Sequence, residues 1–327
     1  MSHFAQELPK THSPAAENPP HAPDRRLTTT VPREYVHRAA VSEVFLTGWE
    51  AVAAAGSASS AEFVVRAQWP RSHSLFARED DHQDPMLMIE SARQVGSLLA
   101  HTEFGVPFGH HFLMANISIA VEPELLVMDT APTEIELLTE CRDIVRRDGA
   151  LTRMRYGITV LRRGMALGTA EAAFRCIGPD VYQRLRGNRP TSSDRPKPPA
   201  VEAALVGRTG PRHVVLGELA SGTAGRWELR VDTAHPTYFD HPVDHIPGMV
   251  LLEAARQAAH AVVGLPDALV LGVTSAFSRY AEFDAPCWIE ARVESGDVES
   301  GVRVRVEGVQ RDATVFVAEV LLRPRTH

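Results

Sequence analysis

Two stretches of this chain repeat one another. Asp81–Gln94, DHQDPMLMIESARQ, set over Asp244–Gln257, DHIPGMVLLEAARQ, at an offset of 163 gives seven identities in fourteen positions. Unrelated sequence gives about one, at roughly 5–9% per common residue type. Upstream, HSLF at 73–76 answers HPTYF at 235–239; downstream, RYGITVLRRGMALGTAE at 155–171 falls over RVRVEGVQRDATVFVAE at 303–319. The same elements occur twice in the same order, so the chain is expected to fold as two like units.

Each unit reads coarsely from period and punctuation. Pro85 and Pro247 sit where a first helical turn accepts proline, and Met86–Ala100 and Met249–Val263 then run apolar on nearly every face, which predicts a buried central helix in each unit. Apolar segments cut by turn signals follow: 134–145, RRDG, 151–161, RRG and 165–176 in the first unit; 288–293, ESGDVESG, 302–309, QRDA and 314–322 in the second. These predict antiparallel strands. A helix wrapped by an antiparallel sheet, made twice, is an α+β arrangement.

Length and composition fit that plan. The 327 residues suffice for two domains, with 44% hydrophobic and 23% charged residues as in globular proteins. The Pro-rich, aperiodic residues 1–30 are expected to form a disordered tail. GNRPTSSDRPKPPA, with four prolines, marks a linker. The expected domains are 31–185 and 201–327, with the linker at 186–200. A net charge of −7 without a long basic block argues against a nucleic-acid partner. No apolar run approaches the ~20 residues of a membrane span, and the N-terminus has no signal-like core, so a cytoplasmic protein is expected. Cys141, Cys176 and Cys287 are odd in number and lack CxxC spacing, so they are expected as buried small hydrophobes. No GxSxG elbow, Walker loop or dinucleotide glycine fingerprint is present, and no cofactor is expected.

The chemistry lies in the repeated segment. At 100° per residue Glu253, Arg256 and Gln257 share a helix face, as do Glu90, Arg93 and Gln94. A buried ion pair three residues apart has two readings, a structural pair and a site lining. Its occurrence in both units favours the second, because desolvation leaves such a pair little net stabilising effect. His82 and His245 match across the units, and His241 lies four residues before His245. Pro242 and Pro247 keep that stretch extended, so these histidines cannot use helical i, i+4 spacing to hold a metal, and no metal site is expected. Pro247, Gly248 and Met249 would present unpaired backbone N–H groups, an oxyanion or phosphate site. Asp84 and Pro85 at the matching positions bring a carboxylate and no glycine, a poorer anion site.

FDHPVDHIPGMVLLEAARQ resembles the His, Pro-Gly, Glu and Gln pattern of hotdog-fold acyl-thioester dehydratases, and the duplicated form, with DH and ExxRQ in both units, resembles the A-factor biosynthesis (γ-butyrolactone synthase) family of actinobacteria. The resemblance spans roughly residues 31–323. It implies a tandem hotdog and an acyltransferase that joins a β-ketoacyl thioester on acyl carrier protein to dihydroxyacetone phosphate. The resulting ester closes to a butenolide phosphate, precursor of a γ-butyrolactone autoregulator. It also implies catalytic pairs drawn from opposite hotdogs: Glu253 with His82, and Glu90 with His241 or His245, with one competent site at the Gly248 end.

In that scheme Gly248 and Met249 stabilise the oxyanion, Glu253 is the candidate base, Arg256 or Arg93 grips the acceptor phosphate, and Gln257 and Gln94 line the sites. His110 and His111, in an insert at 101–112 without a counterpart, are expected in a surface loop. Dehydratase or thioesterase chemistry and a non-catalytic acyl- or lactone-binding module are the competing readings. Pairing into a homodimer is left open beside a monomer.

Overall fold

The computed structural model describes residues 28–52, 60–77, 81–218, 224–297 and 301–324. The expected tail lies outside these residues apart from 28–30. The first half contains β1 (Leu46–Ala51), β2 (Ala61–Trp69), α1 (Met86–Thr102), β3 (His111–Val121), β4 (Thr133–Arg147), β5 (Ala150–Arg162) and β6 (Met165–Ile177). A short α2 (Pro179–Arg186) follows. The second half contains β7 (Leu216–Gly217), β8 (Arg226–Leu229), α3 (Gly248–Val263), β9 (Leu269–Phe277), β10 (Trp288–Asp297), β11 (Gly301–Gln310) and β12 (Ala313–Arg323).

All twelve strands form one antiparallel sheet in the order β1-β2-β4-β5-β6-β3-β9-β12-β11-β10-β8-β7. Read from its centre outward the order is the same in both directions, the signature of a duplicated unit. The halves meet at β3 and β9, from Asn116 opposite Ala276 to Ala120 opposite Gly272. Each half wraps its own helix, making a tandem hotdog.

Local sequence explains the strands. In β4 buried Ile135, Leu137 and Cys141 alternate with exposed Glu134, Glu136 and Glu140, a period of two that covers one face. The tight turns fall where the sequence marks them: Asp148–Gly149, Arg163–Gly164 and Arg311–Asp312 all take positive φ, as two-residue hairpins demand. The helices are central because almost no residue faces water; α1 is buried from Met86 to Ala92 and again from Gln94 to His101. Burial also covers the three cysteines, whose thiols it pushes up to about 12.

Two segments differ from the sequence reading. His111, expected with His110 in a surface loop, opens β3, where the next residue, Phe112, packs edge-on against the His37 ring. Arg186, expected in the linker, ends α2 and bonds Asp244 of the second half.

Candidate active site between the two halves

Each central helix carries a buried carboxylate clamped by two arginines and a glutamine. Glu90 is fully buried. Its Oε1 accepts from Arg38 Nε at 3.0 Å, Arg93 Nη2 at 2.7 Å and Gln94 Nε2 at 2.7 Å, and its Oε2 accepts from Arg93 Nε at 2.9 Å. Burial alone would raise its pKa, but the Arg38 and Arg93 charges outweigh it and hold the group at about 2. Glu253 repeats the arrangement with Arg208 at 3.0 Å, Arg256 at 2.6 Å and Gln257 at 2.5 Å on Oε1. It too is held at about 2, burial being outweighed by Arg208 and Arg256. Both carboxylates have their oxygens engaged by these donors.

Arg38 and Arg208 lie two residues beyond the short 3-10 segments Arg33–Val36 and Ala203–Val206 that precede each first strand. The sequence reading missed them, although VHRAAVSEVFL at 36–46 over VGRTGPRHVVL at 206–216 shares Val, Arg, Val and Leu at an offset of 170. That offset differs from the 163 of the helices because the intervening loops differ in length.

Beyond these clusters the halves part company. In the first half the α1 start is closed by its own carboxylate: Asp84 Oδ1 accepts from Met86 N at 2.9 Å. Asp84 also acts on Arg256, whose pKa is raised because Glu253 and Asp84 together outweigh burial. In the second half Pro247 stands at the Asp84 position. Val250 and Leu251 donate to Pro247 O, while the N–H groups of Gly248 and Met249 meet no acceptor among the described residues. The α3 start therefore turns two backbone N–H groups away from the rest of the helix, and glycine there leaves room for Phe277, whose ring lies 3.2 Å from where a Cβ would stand.

That helix start opens into a cavity of about 600 Å³ built from both halves. The first half supplies Arg38, Arg93, Phe112, Met114 and Phe174; the second supplies His241, His245, Gly248, Met249, Leu252 and Phe277. Arg93 spends Nε and Nη2 on Glu90 and Val36 O, which leaves Nη1 without a partner among the described residues. His241 Nδ1 bonds Asp240 Oδ1 at 2.5 Å, and Asp240 stands 3.6 Å from Arg38. His245 Nδ1 bonds Asp244 Oδ1 at 2.7 Å, and Asp244 also accepts from Tyr182 at 2.6 Å and Arg186 at 3.0 Å. Burial raises the Asp244 pKa, but the His245, Tyr182 and Arg186 hydrogen bonds prevail and hold it well below the carboxylate range. Both histidines line the cavity with Nδ1 engaged by a carboxylate.

The structure brings together Arg93, His241, His245, Gly248 and Met249, with Glu90 and Gln94 directly behind Arg93. It places Glu253, Arg256 and Gln257 elsewhere, buried in the second cluster and off the cavity wall. His82 pairs with Asp81 at 2.8 Å and bridges to Val127; it lines no part of the cavity. His111 stacks on Tyr182 at 3.5 Å.

Fold and cavity define a double-hotdog protein with a cavity between its halves. The chain belongs to the A-factor biosynthesis hotdog domain family, which it matches over residues 21–178 and 190–324. It is 48% identical over 291 residues to the 2-oxo-3-(phosphooxy)propyl 3-oxoalkanoate synthase of Streptomyces virginiae, covering 89% of this chain and 96% of that one. It is 40% identical over 296 residues to the synthase of the same name from Streptomyces griseus, covering 90% and 95%. A putative oleoyl thioesterase from Lactobacillus plantarum shares the fold, with a TM-score of 0.50 at 11% identity over 81% of this chain and 97% of that one. No helix among the described residues is long and apolar enough to cross a membrane.

Proposed function

We propose that this chain is a 2-oxo-3-(phosphooxy)propyl 3-oxoalkanoate synthase, an acyltransferase that moves a 3-oxoacyl group from a thioester on acyl carrier protein to the hydroxyl of dihydroxyacetone phosphate. The product's name dictates the reactants: its alcohol half is dihydroxyacetone phosphate and its acid half a 3-oxoalkanoate. The observation that carries the reading is the difference between the two helix starts. Where the first half places the Asp84 carboxylate, the second leaves an open cavity rimmed by Gly248, Met249 and the free Nη1 of Arg93, which suits a ligand that brings its own negative charge.

Attack of an alcohol on a thioester develops charge on the carbonyl oxygen, and two unpaired N–H groups at a helix start are suited to it. Arg93, with Nε and Nη2 fixed on Glu90, takes the phosphate through Nη1, a directed donor that an ammonium lacks. Phe112, Met114, Phe174, Leu252 and Phe277 form the apolar wall for the acyl chain. His241 and His245, oriented through Nδ1, offer Nε2 to the reacting atoms.

Mass spectrometry of the protein mixed with a 3-oxoacyl thioester, with and without dihydroxyacetone phosphate, tests the reading. A phosphorylated ester or its butenolide is expected only when protein and acceptor are both present. Free acid formed without acceptor would replace the reading with thioesterase chemistry, and loss of water from a 3-hydroxyacyl thioester supplied in its place would replace it with dehydratase chemistry.

A further inference from the structure

His37 is the one cavity-lining residue whose backbone and ring are both unusual. It ends the Arg33–Val36 segment with φ 54 and ψ 49, the left-handed region that favours glycine. Its counterpart in the second half is Gly207, with φ 65 and ψ 36. A side chain held where its own repeat uses glycine marks a position where strain is retained for a function.

The ring's hydrogen bonds fix its tautomer. His101 Nδ1 lies 2.7 Å from Val106 O, and a carbonyl can only accept, so His101 carries its hydrogen on Nδ1. Burial lowers the pKa of His101, which leaves it neutral with a bare Nε2. His37 Nε2 lies 2.7 Å from that atom and must supply the hydrogen. His37 Nδ1 is then an unprotonated lone pair; the ring's one side-chain hydrogen bond among the described residues is that made by Nε2, and the ring lines the cavity beside Arg93.

Resting on the acyltransferase reading above, we propose that Nδ1 of His37 is the general base that takes the acceptor's hydroxyl proton, with the Val106–His101 chain holding the ring in the accepting tautomer. The acceptor O–H bond breaks toward Nδ1 as its oxygen bonds the thioester carbon. The tetrahedral intermediate then collapses with cleavage of the C–S bond. The proton ends on the departing sulfur, passed through His241 in the same cavity, and both imidazoles finish as they began. Burial first, with the Arg93 charge behind it, holds His37 at about 3, so the ring meets its substrate neutral. A phosphate bound on Arg93 offsets that charge and strengthens the base when the acceptor is present.

His37→Gly tests this without disturbing the backbone, since glycine already fills the matching position. Wild type and variant are assayed with a 3-oxoacyl thioester and dihydroxyacetone phosphate, and their melting temperatures are compared. The expected result is a folded variant whose kcat falls about 10²- to 10⁴-fold while KM for the acceptor stays within about threefold, with activity partly restored by added imidazole. His37→Asn, another residue tolerant of positive φ, should show the same loss of kcat. Either variant, folded, keeping kcat within about threefold of wild type would overturn the proposal, as would a His37→Gly loss that imidazole does not relieve. Failure of wild-type protein to form any ester is a separate outcome; it overturns the acyltransferase reading and this assignment with it.

Discussion

Glu90 and Glu253 have the same three partners, and both answer to acid in the same way. Each is held at about 2 against an ordinary 4.5, because two arginines outweigh the cost of burial. A folded-state pKa below the unfolded one contributes stability that is complete above pH 4.5 and lost as pH falls toward 2. His37 and His235 add to the loss: burial first, then neighbouring charges, lower them to about 3 and about 4 from 6.5, so the unfolded chain takes up their protons first. Thermal melts across pH should therefore be level above pH 7, decline below 6.5 and fall most steeply below 4.5; a midpoint unchanged from pH 7 to pH 3 would contradict this. At this scale the ExxRQ spacing was legible because helix geometry alone brings positions i, i+3 and i+4 to one face. Arg38 and Arg208 were not, since tertiary contact across 52 and 45 residues brings them to the carboxylates. Nor was the role of His37, which depends on partners at 101 and 112 that no local pattern connects.

At the scale of elements, the fit of α1 against β5 is set by Gly96. A Cβ there would stand 2.5 Å from the Tyr156 hydroxyl, which donates to Ala92 O at 2.9 Å, and the Tyr156 ring lines the cavity. Gly96→Ala should destabilise the fold by about 1–3 kcal/mol, the cost of overpacking a filled core, and shift the urea midpoint down with little change in m. An unchanged midpoint would show that the tyrosine moves freely. The helices and the strands after them were readable, because long apolar runs and positive-φ turns leave local marks. Strands β1 to β3 and β7 to β9 were not. β7 has two residues and β8 four where β2 has nine, and the bulge between Met114 and Asn116 breaks the alternation of β3.

For the whole molecule, duplication supplies two equivalent surfaces and divergence leaves one open. The first half lends Arg93, Glu90 and His37; the second lends the α3 start and the paired histidines. The second cluster, around Glu253, Arg256 and Arg208, is closed by Asp84 and ties the Leu75 carbonyl of one half to the arginine of the other. The sequence marked the Gly248 end as the better anion site. For the rest it offered Glu253 as the base and either Arg256 or Arg93 for the phosphate, with Glu90 set beside His241 or His245 only by the resemblance, because matched motifs alone cannot tell which half faces which across the molecule.

That difference is open to one direct comparison: steady-state kinetics and melting temperatures of Arg93→Lys and Arg256→Lys. Losing a directed, charge-assisted hydrogen bond to phosphate costs about 1.5–3 kcal/mol, so Arg93→Lys, which also gives up its two bonds to buried Glu90 and some melting temperature with them, should raise KM for dihydroxyacetone phosphate roughly 10- to 100-fold in the protein that stays folded. Arg256→Lys should lower the melting temperature, with any loss of activity following the loss of folded protein and KM unchanged. A raised KM in Arg256→Lys alongside a normal one in Arg93→Lys would place the acceptor in the other half and contradict the site described above.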